Sequence, residues 1–142
     1  MRHGIALLAL AVLVACASTA GIRWAQEGDF ALAIQDNPEQ QRFDLTLTSK
    51  ASTPLCLSKE SWPDPAALPA GFDGATLTIS SGQKELLPTG SAYCPGGCGE
   101  VRIEPGQQVQ GIIPYSAFGD AAVISADSTR TLAFQVHPYQ CS

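Results

Sequence analysis

Cys56, Cys94, Cys98 and Cys141, with the late His137, are the residues whose types and spacing could do chemistry. The densest run is Cys94-Pro95-Gly96-Gly97-Cys98. Two cysteines pair only when their Cα atoms come within roughly 4.4–6.8 Å. A Pro-Gly-Gly linker permits that turn, because glycine reaches positive φ without penalty. Cys94 and Cys98 are therefore expected to form a small staple, contributing about 2 kcal/mol by loop closure. Cys56 with Cys141 would close a loop of roughly 86 residues, with about 4.6 kcal/mol in the same model. Four cysteines allow three connectivities, and this is the one expected. The alternative is a metal- or redox-active site built from Cys94, Cys98, His137 and Cys141, which offer zinc four soft ligands. On an extended strand, however, residues four apart lie about 13 Å apart. A redox dithiol usually has two residues between its cysteines, and here there are three. The expectation is no metal and no cofactor.

Hydrolysis would need His137 as general base, since the other histidine, His3, sits at the extreme N-terminus. The sequence has neither a Gly-x-Ser-x-Gly elbow nor a glycine-rich phosphate loop. Its carboxylates are scattered singly, with no pair placed for acid–base work. No catalytic residues are expected, and the chain is read as a non-enzyme. A net charge of −5 and a pI near 4.8 argue against nucleic acid, whose phosphates select for Lys and Arg. That leaves an aromatic surface. Trp62, Tyr93, Tyr115 and Phe118 fall at predicted strand ends on proline-stiffened loops, the setting that protein interfaces use. The same rings would also serve to close the ends of a core.

The elements that must position these groups are strands. At 142 residues the chain holds one ordinary domain. Only 15% of residues are charged, while 13 Gly and 10 Pro supply frequent turns. So many turn formers in a short chain favour many short strands. Phe30, Leu32 and Ile34 alternate with small or polar residues, as do Phe43, Leu45 and Leu47, which is a strand period. Asp36-Asn37-Pro38-Glu39 between them is turn chemistry, so the two runs form a hairpin or face each other across a sandwich. Further short runs are Leu55-Cys56-Leu57, Ala75–Ile79, Glu85–Leu87, Val101–Ile103, Val109–Ile113, Ala122–Ile124 and Thr131–Val136. Residues 58–73 carry too many prolines for a helix and read as a long ordered loop. Pro105-Gly106 suits the centre of a type II turn. Seven to nine short strands predict an all-β, antiparallel β-sandwich, immunoglobulin-like in general style.

The N-terminus is of another kind. After Arg2 and His3, the stretch Ile5 to Ala17 carries no charged side chain. Its thirteen residues would make about 20 Å of helix, short of the roughly 30 Å hydrocarbon core. A basic start and a short apolar run form the secretory signal pattern. Leu13-Val14-Ala15-Cys16 resembles the lipobox of bacterial lipoproteins. The resemblance implies cleavage before Cys16, a diacylglycerol thioether on its sulfur and an acylated amino group, so that the membrane is reached through the lipid. Ala17 in the next position, where there is no Asp, resembles lipoproteins sent on to an outer membrane. Ordinary cleavage at Ala15-Cys16-Ala17 or Ser18-Thr19-Ala20 is the alternative, giving a soluble periplasmic or secreted protein. Either way the odd fifth cysteine is accounted for, and four remain for disulfides in an oxidising space. The expected organisation is a signal peptide over 1–15, a tether over 16–28 and one domain over 29–142. The expected function is a non-catalytic cell-envelope lipoprotein that binds a protein or an envelope polymer, with a hydrolase inhibitor as its sharpest form.

Overall fold

The computed structural model describes residues 21–64, 73–88 and 97–141. The expected signal segment, Cys16, Tyr93 and Cys94 lie outside the described residues.

The alternation of apolar and polar residues becomes three small antiparallel sheets. β1 (Phe30–Asn37), β2 (Arg42–Ser49) and β7 (Gln108–Pro114) form the first, with β2 in the centre. β1 and β2 make the expected hairpin, in unbroken register from Phe30↔Ser49 to Asn37↔Arg42. Its turn is a short 3-10 segment, Pro38–Gln40, whose entry Asn37 caps with its side chain and whose exit Gln41 takes at positive φ. Along β2 the period of two is complete. Phe43, Leu45 and Leu47 are buried while Arg42, Asp44 and Thr46 are half-buried.

β3 (Leu55–Ser58) pairs with β6 (Glu100–Ile103) on one side and β9 (Tyr139–Gln140) on the other. The β2–β7 and β3–β6 ladders are joined by the hydrogen bonds Ser49 N to Gln107 O (2.9 Å) and Gly106 N to Ser49 O (3.1 Å). One bent antiparallel ribbon therefore serves two sheets. Its outer bend is the type II turn expected at Pro105-Gly106. There Gly106 has φ 76°, and Gln107 N bonds Glu104 O at 2.9 Å. The third sheet has β4 (Ala75–Ile79) between β5 (Gly82–Glu85) and β8 (Thr131–Phe134).

All three sheets contribute to one core, including Leu45, Leu57, Leu77, Ile103, Ile113 and Phe134. The fold is all-β and sandwich-like, as expected. Three small sheets stand among the described residues where an immunoglobulin sandwich has two sheets, so the comparison with that fold goes no further than general style.

The sequence expectations need correcting at three places. Ala122-Val123-Ile124 reads as extended and is helical, in α1 (Ala121–Ala126). Asp120 caps this helix, its carboxylate accepting from Ala122 N at 2.9 Å and Val123 N at 3.4 Å. β5 closes a tight hairpin at Gly82, earlier than the apolar Glu85–Leu87 run suggests. The expected tether over 16–28 is also too long. Trp24 forms an antiparallel bridge with Tyr139, flanked by Ala25 N to Pro138 O (2.9 Å) and Gln140 N to Arg23 O (2.8 Å). Backbone groups that find such partners belong to the fold.

Candidate functional site

Cys56 and Cys141 are joined, with Cα atoms 5.2 Å apart and a sequence separation of 85. Cys56 lies in β3, and Cys141 directly follows β9, which pairs beside β3 with Tyr139 opposite Cys56. Cys98 is disulfide-bonded as well. The Cys141 sulfur is thereby taken out of the expected four-ligand zinc set. Neither Cys141 nor Cys98 carries a free thiolate, and exposed His137 meets the ring of Trp24. Among the described residues no cluster of ligating side chains is assembled.

The expected aromatic binding surface is corrected too. Trp62, Tyr115 and Phe118 are 2%, 0% and 3% exposed, so all three are core. The Trp62 indole packs against Phe134 at 6.1 Å, and its N–H donates to Gln110 O at 2.9 Å. It occupies the space over Gly111, where a Cβ would lie 2.9 Å from the ring. Tyr115 sits in a polar corner. Its hydroxyl donates to the Asp36 carboxylate and accepts from Arg130 Nε at 2.7 Å. Arg130 also reaches Asp36 at 2.8 Å and lies over the phenol ring at 5.1 Å. Burial, then the bond to Asp36, pushes the Tyr115 phenol up despite the opposing pull of Arg130. The buried groups of this corner, the Tyr115 hydroxyl and the Arg130 guanidinium, are both paired, which is the condition for burying them. Its chemistry is structural.

The aromatic group left at the surface is one that no sequence pattern announces. His137 and Pro138 lead into β9, and His137 is exposed while Pro138 is buried. Trp24 lies across from them, edge-on to His137 at 6.3 Å and to Tyr139 at 6.0 Å. The Tyr139 hydroxyl donates to Glu100. Burial and that bond push the Tyr139 phenol up to about 12, so it remains a donor at neutral pH. Trp24 meets two rings yet stays 54% exposed, and Ile22 beside it is 65% exposed. A hollow of about 210 Å³ lies between Trp24, Phe30, Val136 and His137. A lone Trp and a late His-Pro-Tyr are the available signal, but no periodicity surrounds them.

A second surface is the outer face of the β1–β2–β7 sheet, a concavity of about 430 Å³ lined by Gln35, Arg42, Asp44, Thr46, Gln110 and Ile112. Its amides and hydroxyls are tied across strands: Thr46 to Gln110 at 2.9 Å, Gln108 to Thr48 at 3.1 Å, and Asn37 to Asp44 at 2.9 Å. Arg42 approaches Asp44 to 2.8 Å, a charge contact off the line of a good hydrogen bond. The arrangement can offer directed hydrogen bonds to a polar partner from a rigid frame.

No family model, curated protein or solved structure matches the chain.

Proposed function

We propose that this protein is an exported, lipid-anchored and non-catalytic component of a cell envelope, whose β-sandwich binds another polar macromolecule. The observation that carries the reading is the state of the cysteines. All three described cysteines are in disulfides, which persist in oxidising compartments such as the periplasm. Pairing Cys98 with Cys94 leaves Cys16 alone, at the lipobox position where a lipid would consume its thiol. Export explains the disulfides, and the signal pattern explains export.

The outer face of β1–β2–β7 suits the binding role. It presents neutral amides and hydroxyls with one ion pair, a surface for a hydroxyl-rich envelope polymer or an extended peptide. The hydrolase-inhibitor form rests on the loop at Cys94, outside the described residues, and the concavity favours the general binding role instead.

Membrane fractionation of Cys16→Ser tests the anchor. The variant should fold as the wild type does and leave the membrane fraction, or keep its signal uncleaved. A wild-type protein found in the soluble periplasm would overturn the anchor. Gln110→Arg, placed on the exposed sheet face, should abolish co-sedimentation with purified envelope polymer and cross-linking to envelope proteins without lowering the melting temperature. Unchanged capture in both assays would remove this face from the account.

A further inference from the structure

The Trp24 edge presents an aromatic surface that its neighbours orient without covering. Trp24 and Ile22 are the exposed large apolar residues of the first described segment's start. Between them Arg23 reaches Gln140 Oε1 at 3.3 Å. Tryptophan, an aliphatic residue and a cation form the composition of a membrane–water boundary, where an indole keeps its ring in the apolar zone and its N–H in the wet one. The edge contacts with His137 and Tyr139 fix the ring, so little rotamer freedom is left to lose on contact. The hollow behind it measures about 210 Å³. Small-molecule sites begin at roughly 300 Å³. A surface fits this edge better than an enclosed ligand does.

Chain length identifies that surface. Trp24 follows Cys16 by eight residues and Ile22 by six. Even fully extended, eight residues span no more than about 29 Å. We propose that Trp24, with Ile22, inserts into the headgroup boundary of the bilayer that holds the lipid of Cys16, so that the domain docks on its own membrane by this edge. The proposal rests on the lipid-anchor reading above. A Trp–Ile pair inserts weakly by itself, but a short tether turns insertion into an intramolecular step at an effective concentration of about millimolar. From Cys16 onward, without Arg2, the chain has 7 Lys+Arg against 13 Asp+Glu, with Glu27 and Asp29 close to the edge. Attraction to anionic lipid is therefore not the driving term, and a zwitterionic bilayer suffices.

The test uses the native lipidated protein in phosphatidylcholine vesicles whose acyl chains are brominated near the glycerol, against unbrominated vesicles. The chain has two tryptophans, and buried Trp62 serves as the internal reference. Bromolipid should remove about half of the Trp24 emission, since boundary indoles lie within contact of the upper acyl chain. Trp24→Phe, which reports Trp62 alone, should show equal emission in both vesicles. Equal wild-type emission in both vesicles, with mass spectrometry showing lipid on Cys16, overturns the proposal and leaves the anchor standing. Shielding of Trp24 from aqueous acrylamide that needs an added envelope protein overturns it in favour of a protein partner. A mature chain without lipid on Cys16 overturns the anchor and the proposal together.

Discussion

Tyr115 and Trp24 are both rings with a polar handle, and each has polar side chains close by, yet the molecule uses them in opposite ways. Around Tyr115 the polar groups converge. Asp36 comes from β1, Tyr115 from the turn after β7, and Arg130 from the approach to β8. Arg130 also donates to Ser125 O at 3.0 Å and Asp127 O at 2.6 Å, which anchors the end of α1. One guanidinium thus ties three distant stretches of chain, with its side chain only 7% exposed. Around Trp24 two rings meet the indole at steep angles, and about half of it is left to the outside. Buried polar groups that are fully paired define a fold, whereas an exposed aromatic held rigid is available for contact.

The comparison breaks first at Arg130. Arg130→Ala removes the cation and its hydrogen bonds to the Tyr115 hydroxyl and to Ser125 O and Asp127 O, and should cost about 2–3 kcal/mol in urea unfolding, with part-exposed Asp36 left to water. A loss below about 0.5 kcal/mol would mean the corner is an ordinary surface pair. Gly111→Ala tests the neighbouring claim that Trp62 is a fixed core wall. Its Cβ would meet the indole at 2.9 Å and the Pro63 ring at 3.2 Å. Overpacking of that kind should cost about 1–3 kcal/mol on the same unfolding curve. Trp24→Ser should cost less, about 1 kcal/mol, because half the ring is already in water. If it destabilises as much as Arg130→Ala does, the edge is core and the contrast fails.

The smallest effect is in acid. The Asp127 carboxylate accepts hydrogen bonds from the side chain and backbone of Ser80 and of Thr129. These bonds hold it well below the usual carboxylate range. A depressed folded pKa contributes stability that is complete above the unfolded value, which is near 3.8, and that fades as pH falls below it. The difference in melting temperature between wild type and Asp127→Ala should therefore narrow between about pH 4 and pH 2. A constant difference across that window would show that the hydrogen bonds do not depend on the charge.

What the sequence shows follows the same division. The alternation of Phe43, Leu45 and Leu47 is local and reports burial directly, so β2 is legible. Pro105-Gly106 and the Cys56–Cys141 pair are legible because turn geometry and loop closure are general. The helix at Ala121–Ala126 is not, since six small and apolar residues fit either state and only the Asp120 cap decides. The depth of Trp62 depends on the missing side chain of Gly111, far along the chain, which no local pattern reports. Trp24 escapes notice for the same reason, its partners being His137 and Tyr139 at the other end of the sequence.

The most direct test of the account is the intact mass of the protein purified natively from unfractionated cells. The account predicts a chain beginning at Cys16, heavier by a diacylglycerol and an amide-linked acyl group, with the other four cysteines oxidised. A chain beginning after residue 20 without lipid, or one with free thiols at Cys56, Cys98 or Cys141, would contradict it.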